Sequence, residues 1–134
     1  MKIAIICFNL SFVAGGPRLI FGLAQALKRG GHTVVIYAPD FDATYYQAAS
    51  LGLDIRTVRP KEPIVWFGKP KNIFKWIIRK IKQEISFISV SKKIARSMDD
   101  NFDVVNVHDF AYQTGYFYKK IHPHSKVIWT ENAP

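Results

Sequence analysis

The sequence predicts an α/β domain built on a doubly wound, mostly parallel sheet, and three observations carry that prediction. Apolar runs of strand length alternate with segments of helical periodicity along the chain. Those runs are apolar at successive positions rather than at alternate ones, as in strands covered on both faces. A glycine-bearing break joins the first run to the first helix, and a second run follows by residue 38. Strand, loop, helix and strand in that order form a βαβ unit, whose crossover is right-handed.

Lys2 to Phe8 (KIAIICF) is the first strand, and the polar break Asn9 to Gly16 follows it. From Pro17 to Lys28, residues Leu19, Ile20, Leu23, Ala24 and Leu27 recur at helical spacing. Pro17 suits a first helical turn, and Gly30 and Gly31 end the helix where a left-handed residue is needed. His32 to Ala38 (HTVVIYA) is the second strand. Phe41 to Leu51 reads as a short helix, and Asp54 to Val58 as a third strand. Residues 59–72 hold three prolines and read as an irregular loop. A long basic helix is expected from Asn72 to Met98, then a fourth strand from Phe102 to Val107. Phe110 to Ile121 contains a helix, and Lys126 to Thr130 is a fifth strand. Together these make a Rossmann-like domain, and the last strand lacks the helix expected to cover it.

At 134 residues, 49% of them hydrophobic, the chain has the size and composition of one folded domain. No apolar stretch of about 18 residues occurs, so no membrane-spanning helix is expected. The start carries no small-residue cleavage site and reads as a buried strand instead of a signal peptide. Cys7, the sole cysteine, excludes an internal disulfide and reads as a buried, inert thiol. A reducing, cytoplasmic setting is the expectation. The net charge of +9 divides as +3 over residues 1–60, +8 over 61–98 and −2 over 99–134. The middle segment therefore holds nearly all the excess.

Gly15, Gly16, Pro17 and Arg18 stand at the start of the first helix, where unpaired amides and a partial positive charge favour anions. Phosphate contact and a plain turn are both open readings. Phe8 to Ala14 hold no glycine, so the dinucleotide fingerprint is absent and a nicotinamide enzyme is disfavoured. His122 and His124 flank Pro123 in a turn and make an incomplete metal set, so no metal site is expected.

The opening MKIAIICF through GGPRLIFGLAQALKRGGHTVVIYAP resembles the family 4 retaining glycosyltransferases of the GT-B fold. Gly15, Gly16, Leu23, Ala24, Leu27, Arg29, Gly31 and His32 match the family's opening pattern, with one extra glycine at position 30. FDVVNVHDF resembles a second family segment, with Asn106 replacing its first histidine and His108 holding the second. KVIWTEN resembles the strand that follows. The resemblance implies an amino-terminal, acceptor-side domain over residues 1–134, with a second, donor-binding domain absent. It implies transfer of a sugar from a nucleotide-sugar, with retention and no cofactor, to a glycan or lipid-linked acceptor. Gly15, Gly16 and Arg18 would approach the diphosphate, and His108 would be the catalytic-cleft residue. Asp109, Glu131 and Asn132, at neighbouring strand ends, would bind acceptor hydroxyls. Each has a structural alternative: His108 holding the adjacent loop, and Asp109 capping the next helix.

In the basic helix Ile73, Ile77, Ile78, Ile81, Ile85 and Ile88 share one face, opposed by Lys75, Arg79 and Lys82. Two readings arise. The isoleucines pack on the sheet, as in most α/β helices, or the helix meets an anionic membrane surface. The two combine if the isoleucines point inward while Trp66, Phe67, Lys69, Lys71, Lys75, Trp76, Arg79, Lys80 and Lys82 meet lipid headgroups. That would make the chain peripheral on the inner face of the plasma membrane. A non-catalytic module docking on membrane or glycolipid is the alternative function. No nucleic-acid recognition motif accompanies the basic residues, so nucleic acid is not an expected partner.

Overall fold

The computed structural model describes residues 1–11, 15–50, 52–60 and 72–131, without the side chains of Ala48 and Ala49. Five parallel strands form one sheet in the order β3-β2-β1-β4-β5. They are β1 (Lys2–Ile6), β2 (Thr33–Ala38), β3 (Asp54–Thr57), β4 (Val104–His108) and β5 (Lys126–Thr130). The helices are α1 (Gly15–Arg29), α2 (Ala43–Ser50), α3 (Ile73–Ser97) and α4 (Tyr112–Ile121). The predicted α/β, Rossmann-like architecture is therefore the observed one.

The central strand shows why its run is apolar throughout. Ile3, Ile5 and Cys7 pack with Ile20, Phe21 and Ala24 of α1 and Tyr46 of α2. Ala4, Ile6 and Phe8 point the other way, onto Phe87, Val90 and Ile94 of α3 and Tyr118 of α4. Period-two alternation thus feeds two cores from one strand. The chain winds outward from β1 through β2 to β3, then returns to place β4 on the other side of β1.

Local chemistry sets the helix ends. The amide of Gly31 bonds the carbonyl of Lys28 and that of His32 bonds the carbonyl of Leu27, with Gly31 at φ +80°. This is a Schellman cap, in which the left-handed glycine satisfies two terminal carbonyls. α3 begins at Asn72, whose side-chain oxygen accepts the Phe74 amide at 2.8 Å. At the amino end of β1, Lys2 pairs with Asp99 at 2.8 Å, and from β3 Arg56 reaches Asp99 at 3.2 Å and Asp54 at 2.9 Å. Tyr118 donates to the Asp99 carbonyl at 2.8 Å, tying α4 to the same point. The Lys2 ammonium and the Arg56 guanidinium hold the Asp99 carboxyl below its ordinary range.

Several expectations are corrected. α1 begins at Gly15, so both glycines lie inside its first turn, ahead of Pro17. Its buried stripe is Ile20, Phe21 and Ala24, while Leu19 is 56% exposed. The isoleucine face of α3 does not pack on the sheet. Ile73, Ile77, Ile78, Ile81, Ile85 and Ile88 are all exposed, and the helix buries Phe87, Val90, Ser91, Ile94 and Ala95 instead. At about 100° per residue, the buried set lies roughly 100° around the helix from the isoleucines, so one face cannot serve both. Most of the loop expected over 59–72, with Trp66, Phe67, Lys69 and Lys71, lies outside the described residues.

α4 approaches the sheet most tightly at Gly115. A Cβ there would stand 2.8 Å from one methyl of Val127 and 3.1 Å from one of Val107. Gly115→Ala should therefore lower the thermal midpoint by several degrees, despite the better helix propensity of alanine, because the overpacking penalty of about 1–3 kcal/mol exceeds that gain of about 1 kcal/mol. An unchanged midpoint in a calorimetric scan would show that α4 can lift off β4 and β5 at no cost.

Candidate functional site

The winding reverses between β1 and β4, and the carboxyl ends of two strands at such a switch point are where open α/β sheets form a ligand crevice. Cys7, Phe8 and Asn9 leave β1 there, and His108 and Asp109 leave β4. The first turn of α1 comes to the same place. A Cβ built on Gly16 would stand 3.7 Å from Asn9 Nδ2 and 4.0 Å from Asp109 Oδ2. Gly16 therefore separates the helix start from a carboxylate and an amide by about the width of a methyl group.

Asp109 is the first residue of a 3-10 turn, Asp109–Ala111, that leads into α4. Its φ is +49°, the one non-glycine residue with positive φ among those described. Aspartate tolerates the left-handed region better than most residues, because its short polar side chain bonds locally. The position is held from outside as well, since Trp129 Nε1 donates to the Asp109 carbonyl at 3.2 Å. The expected helix-capping role is not observed. His108 is the N-cap of the turn, with no side-chain cap bond. The Asp109 carboxylate stands by the start of α1, where the helix dipole stabilises a negative charge by about 0.3–1 kcal/mol.

His108 is buried, with 1% of its surface exposed. Burial lowers its pKa and the neighbouring Asp109 charge opposes that shift, leaving the imidazole neutral near pH 7. Cys7 donates its thiol proton to Asn9 Oδ1 at 2.6 Å. Burial pushes the Cys7 pKa up to about 12, so the residue is an orienting thiol for Asn9 and not a nucleophile. On β5, Thr130 donates to Asn106 Oδ1 at 2.9 Å, which gives the asparagine at that place in β4 a structural partner.

Gly15, Gly16, His108 and Asp109 thus come together at one edge of the sheet. Arg18 is exposed one residue beyond Pro17, and Glu131 is exposed just after β5. Asn132 lies outside the described residues. No group of three or more His, Cys, Asp or Glu suited to a metal occurs among the described residues. Sequence reasoning missed Asn9. It is the first strongly polar residue after the apolar β1 run, but only the fold brings it near Gly16 and Asp109.

The buried imidazole makes stability pH-dependent in a defined direction. Its folded pKa lies below the unfolded value of 6.5. Above that value both states are neutral; below it the unfolded chain takes up a proton that the folded chain resists, and stability falls. Wild-type protein should lose more thermal stability than His108→Gln between about pH 7.5 and about pH 5.5. Parallel curves for the two proteins would show that His108 is not the group responsible.

Residues 13–134 match the model of Glycosyltransferase Family 4. No curated protein matches the chain. Among solved structures the chain is similar to SsfS6, a glycosyltransferase of Streptomyces sp. SF2575, at 16% identity and a TM-score of 0.51, over 98% of this chain and 38% of that one. It is also similar to CalG4, the calicheamicin glycosyltransferase, at 12% identity and a TM-score of 0.59, over 98% of this chain and 32% of the other. At such identities the likeness establishes the fold alone, and the chain spans about a third of the length of each structure. The family match takes in α1, β4, β5 and the crevice residues Gly15, Gly16, His108 and Asp109, and by that match the chain belongs to glycosyltransferase family 4.

Proposed function

We propose that the chain is the amino-terminal, acceptor-side domain of a glycosyltransferase that moves a sugar from a nucleotide-sugar to a glycan or lipid-linked acceptor, with retention at the anomeric carbon. The observation that carries this reading is the meeting of Gly16, Asn9 and Asp109 at the carboxyl edge between β1 and β4. Family membership favours it over a non-catalytic docking module. A second α/β domain would hold most of the nucleotide-sugar and close the crevice from the other side.

The chemistry follows from charge. Amides in the first turn of a helix have no intrahelical acceptor, so those of Gly15 and Gly16 are suited to the departing diphosphate. Arg18 adds a full positive charge in the same turn. The Asp109 carboxylate is of the same sign as the diphosphate, which suits it to the acceptor instead. It accepts hydrogen bonds from sugar hydroxyls and orients the attacking one, with Glu131 and Asn132 at the next strand end. His108, neutral and buried, would reach the transferred sugar only after the groups covering it withdraw. No metal is required: positioning and electrostatic stabilisation of the leaving group supply the rate.

The reading is tested in a polypeptide that carries both domains, with product anomeric configuration followed by NMR. Asp109→Asn keeps size and left-handed tolerance and removes only the charge, and should lower kcat/KM by about 10²-fold. Gly16→Ala meets nothing closer than 3.7 Å, so folding should be unchanged while KM for the nucleotide-sugar rises about tenfold. Residues 1–134 alone should form no product. Full activity in both variants, or transfer by the single domain, would overturn the assignment.

A further inference from the structure

We propose that the isoleucine face of α3 docks the protein on an anionic lipid bilayer, with Ile73, Ile77, Ile81 and Ile85 entering the interface. The inference rests on the geometry of α3 and stands apart from the transfer reading.

The exposure of this face is not a matter of a frayed helix end. Ile85 is 62% exposed although its neighbours Phe87 and Val90 are 5% and 2% exposed, so the chain's own sheet is present but on another side. Phe74 at 70% and Ile78 at 45% widen the stripe. An apolar strip of this length along one helix is unusual on a surface that meets only water.

The charges around the strip select its partner. At about 100° per residue, Lys80 falls on one flank of the isoleucines and Lys75 and Lys82 on the other, with Arg79 behind. Glu84 is the sole acidic residue of α3. Lysines flanking an apolar face reach outward to phosphate headgroups while the isoleucines sink below them. A second copy of the chain would instead bring two strongly basic helices face to face. Charge complementarity therefore points to an anionic lipid surface.

The placement of the helix gives docking an orientation. Phe87 packs on Phe8 and stacks on Phe110, at ring separations of 5.8 and 6.3 Å, and these two residues follow the ends of β1 and β4. α3 runs antiparallel to the strands, so residues 73–86 extend past the carboxyl edge by roughly 20 Å, at about 1.5 Å per residue. The docking face thus projects from the same edge as the crevice.

The test is sedimentation of the purified protein with vesicles of phosphatidylcholine alone and with an equal mixture of phosphatidylcholine and phosphatidylglycerol. Wild-type protein should pellet with the mixture and be released by salt. Both Ile77→Ser/Ile81→Ser/Ile85→Ser and Lys75→Glu/Lys80→Glu/Lys82→Glu should weaken pelleting by about tenfold or more. All six positions are exposed, so thermal midpoints should match wild type and report any folding failure. Equal binding to both vesicle types, or binding that survives the isoleucine substitutions, would overturn the proposal. So would failure to bind either vesicle, and an oligomer that the isoleucine substitutions dissociate would then assign the face to a second copy.

Discussion

Everything in this fold depends on β1 being buried on both sides and along both edges. Its side chains supply alternate residues to two separate cores, and its backbone pairs with β2 on one edge and β4 on the other. A polar residue in the interior of such a strand is costly unless a partner is built for it. The first polar side chain after it, Asn9, therefore emerges where the burial ends, and that point is the carboxyl edge of the sheet. The site is located by the limit of the hydrophobic run as much as by any residue chosen for chemistry.

Around that point the structure sets a negative group against a positive one. The start of α1 offers amides and a partial positive charge, and the Asp109 carboxylate stands beside it with Gly16 between. Asp109 is held in a left-handed conformation that costs backbone energy, on the order of 1 kcal/mol or more. Its carbonyl is anchored by Trp129 and its neighbour His108 is packed away from solvent. A backbone held this firmly loses little freedom when a ligand arrives, which favours a preorganised site over adaptable binding.

Much of this was legible in the sequence, and the failures share a physical cause. The five strands were visible because buried parallel strands are apolar at successive positions, and KIAIICF and HTVVIYA are such runs. The candidate roles of Gly15, Gly16 and His108 came from the family resemblance, and their places at strand and helix ends agreed with it. The isoleucines of α3 were misread because periodicity establishes that a helix has an apolar face without saying what covers it. A second stripe on the same helix, through Phe87, Val90 and Ile94, is the one that meets the sheet. Leu19 was misplaced for a related reason: at the margin of an amphipathic face, one residue of rotation separates core from solvent. Asn9 was overlooked because one asparagine in a polar break has no periodicity to mark it. Its significance comes from Gly16 and Asp109, which only the fold brings near.

The ion cluster joins Lys2, at the end of β1 opposite the crevice, through Asp99 to Arg56 and Asp54 of β3. It gathers β1, β3 and the end of α3, and the Tyr118 hydroxyl brings α4 to the same junction. The fastening of β1 by Lys2 and Asp99 therefore stands at the far end of that strand from the candidate site. A lineage could rebuild the loops at the carboxyl edge while the far end of β1 stayed fastened. Innovation at one pole of the sheet is insulated from collapse at the other.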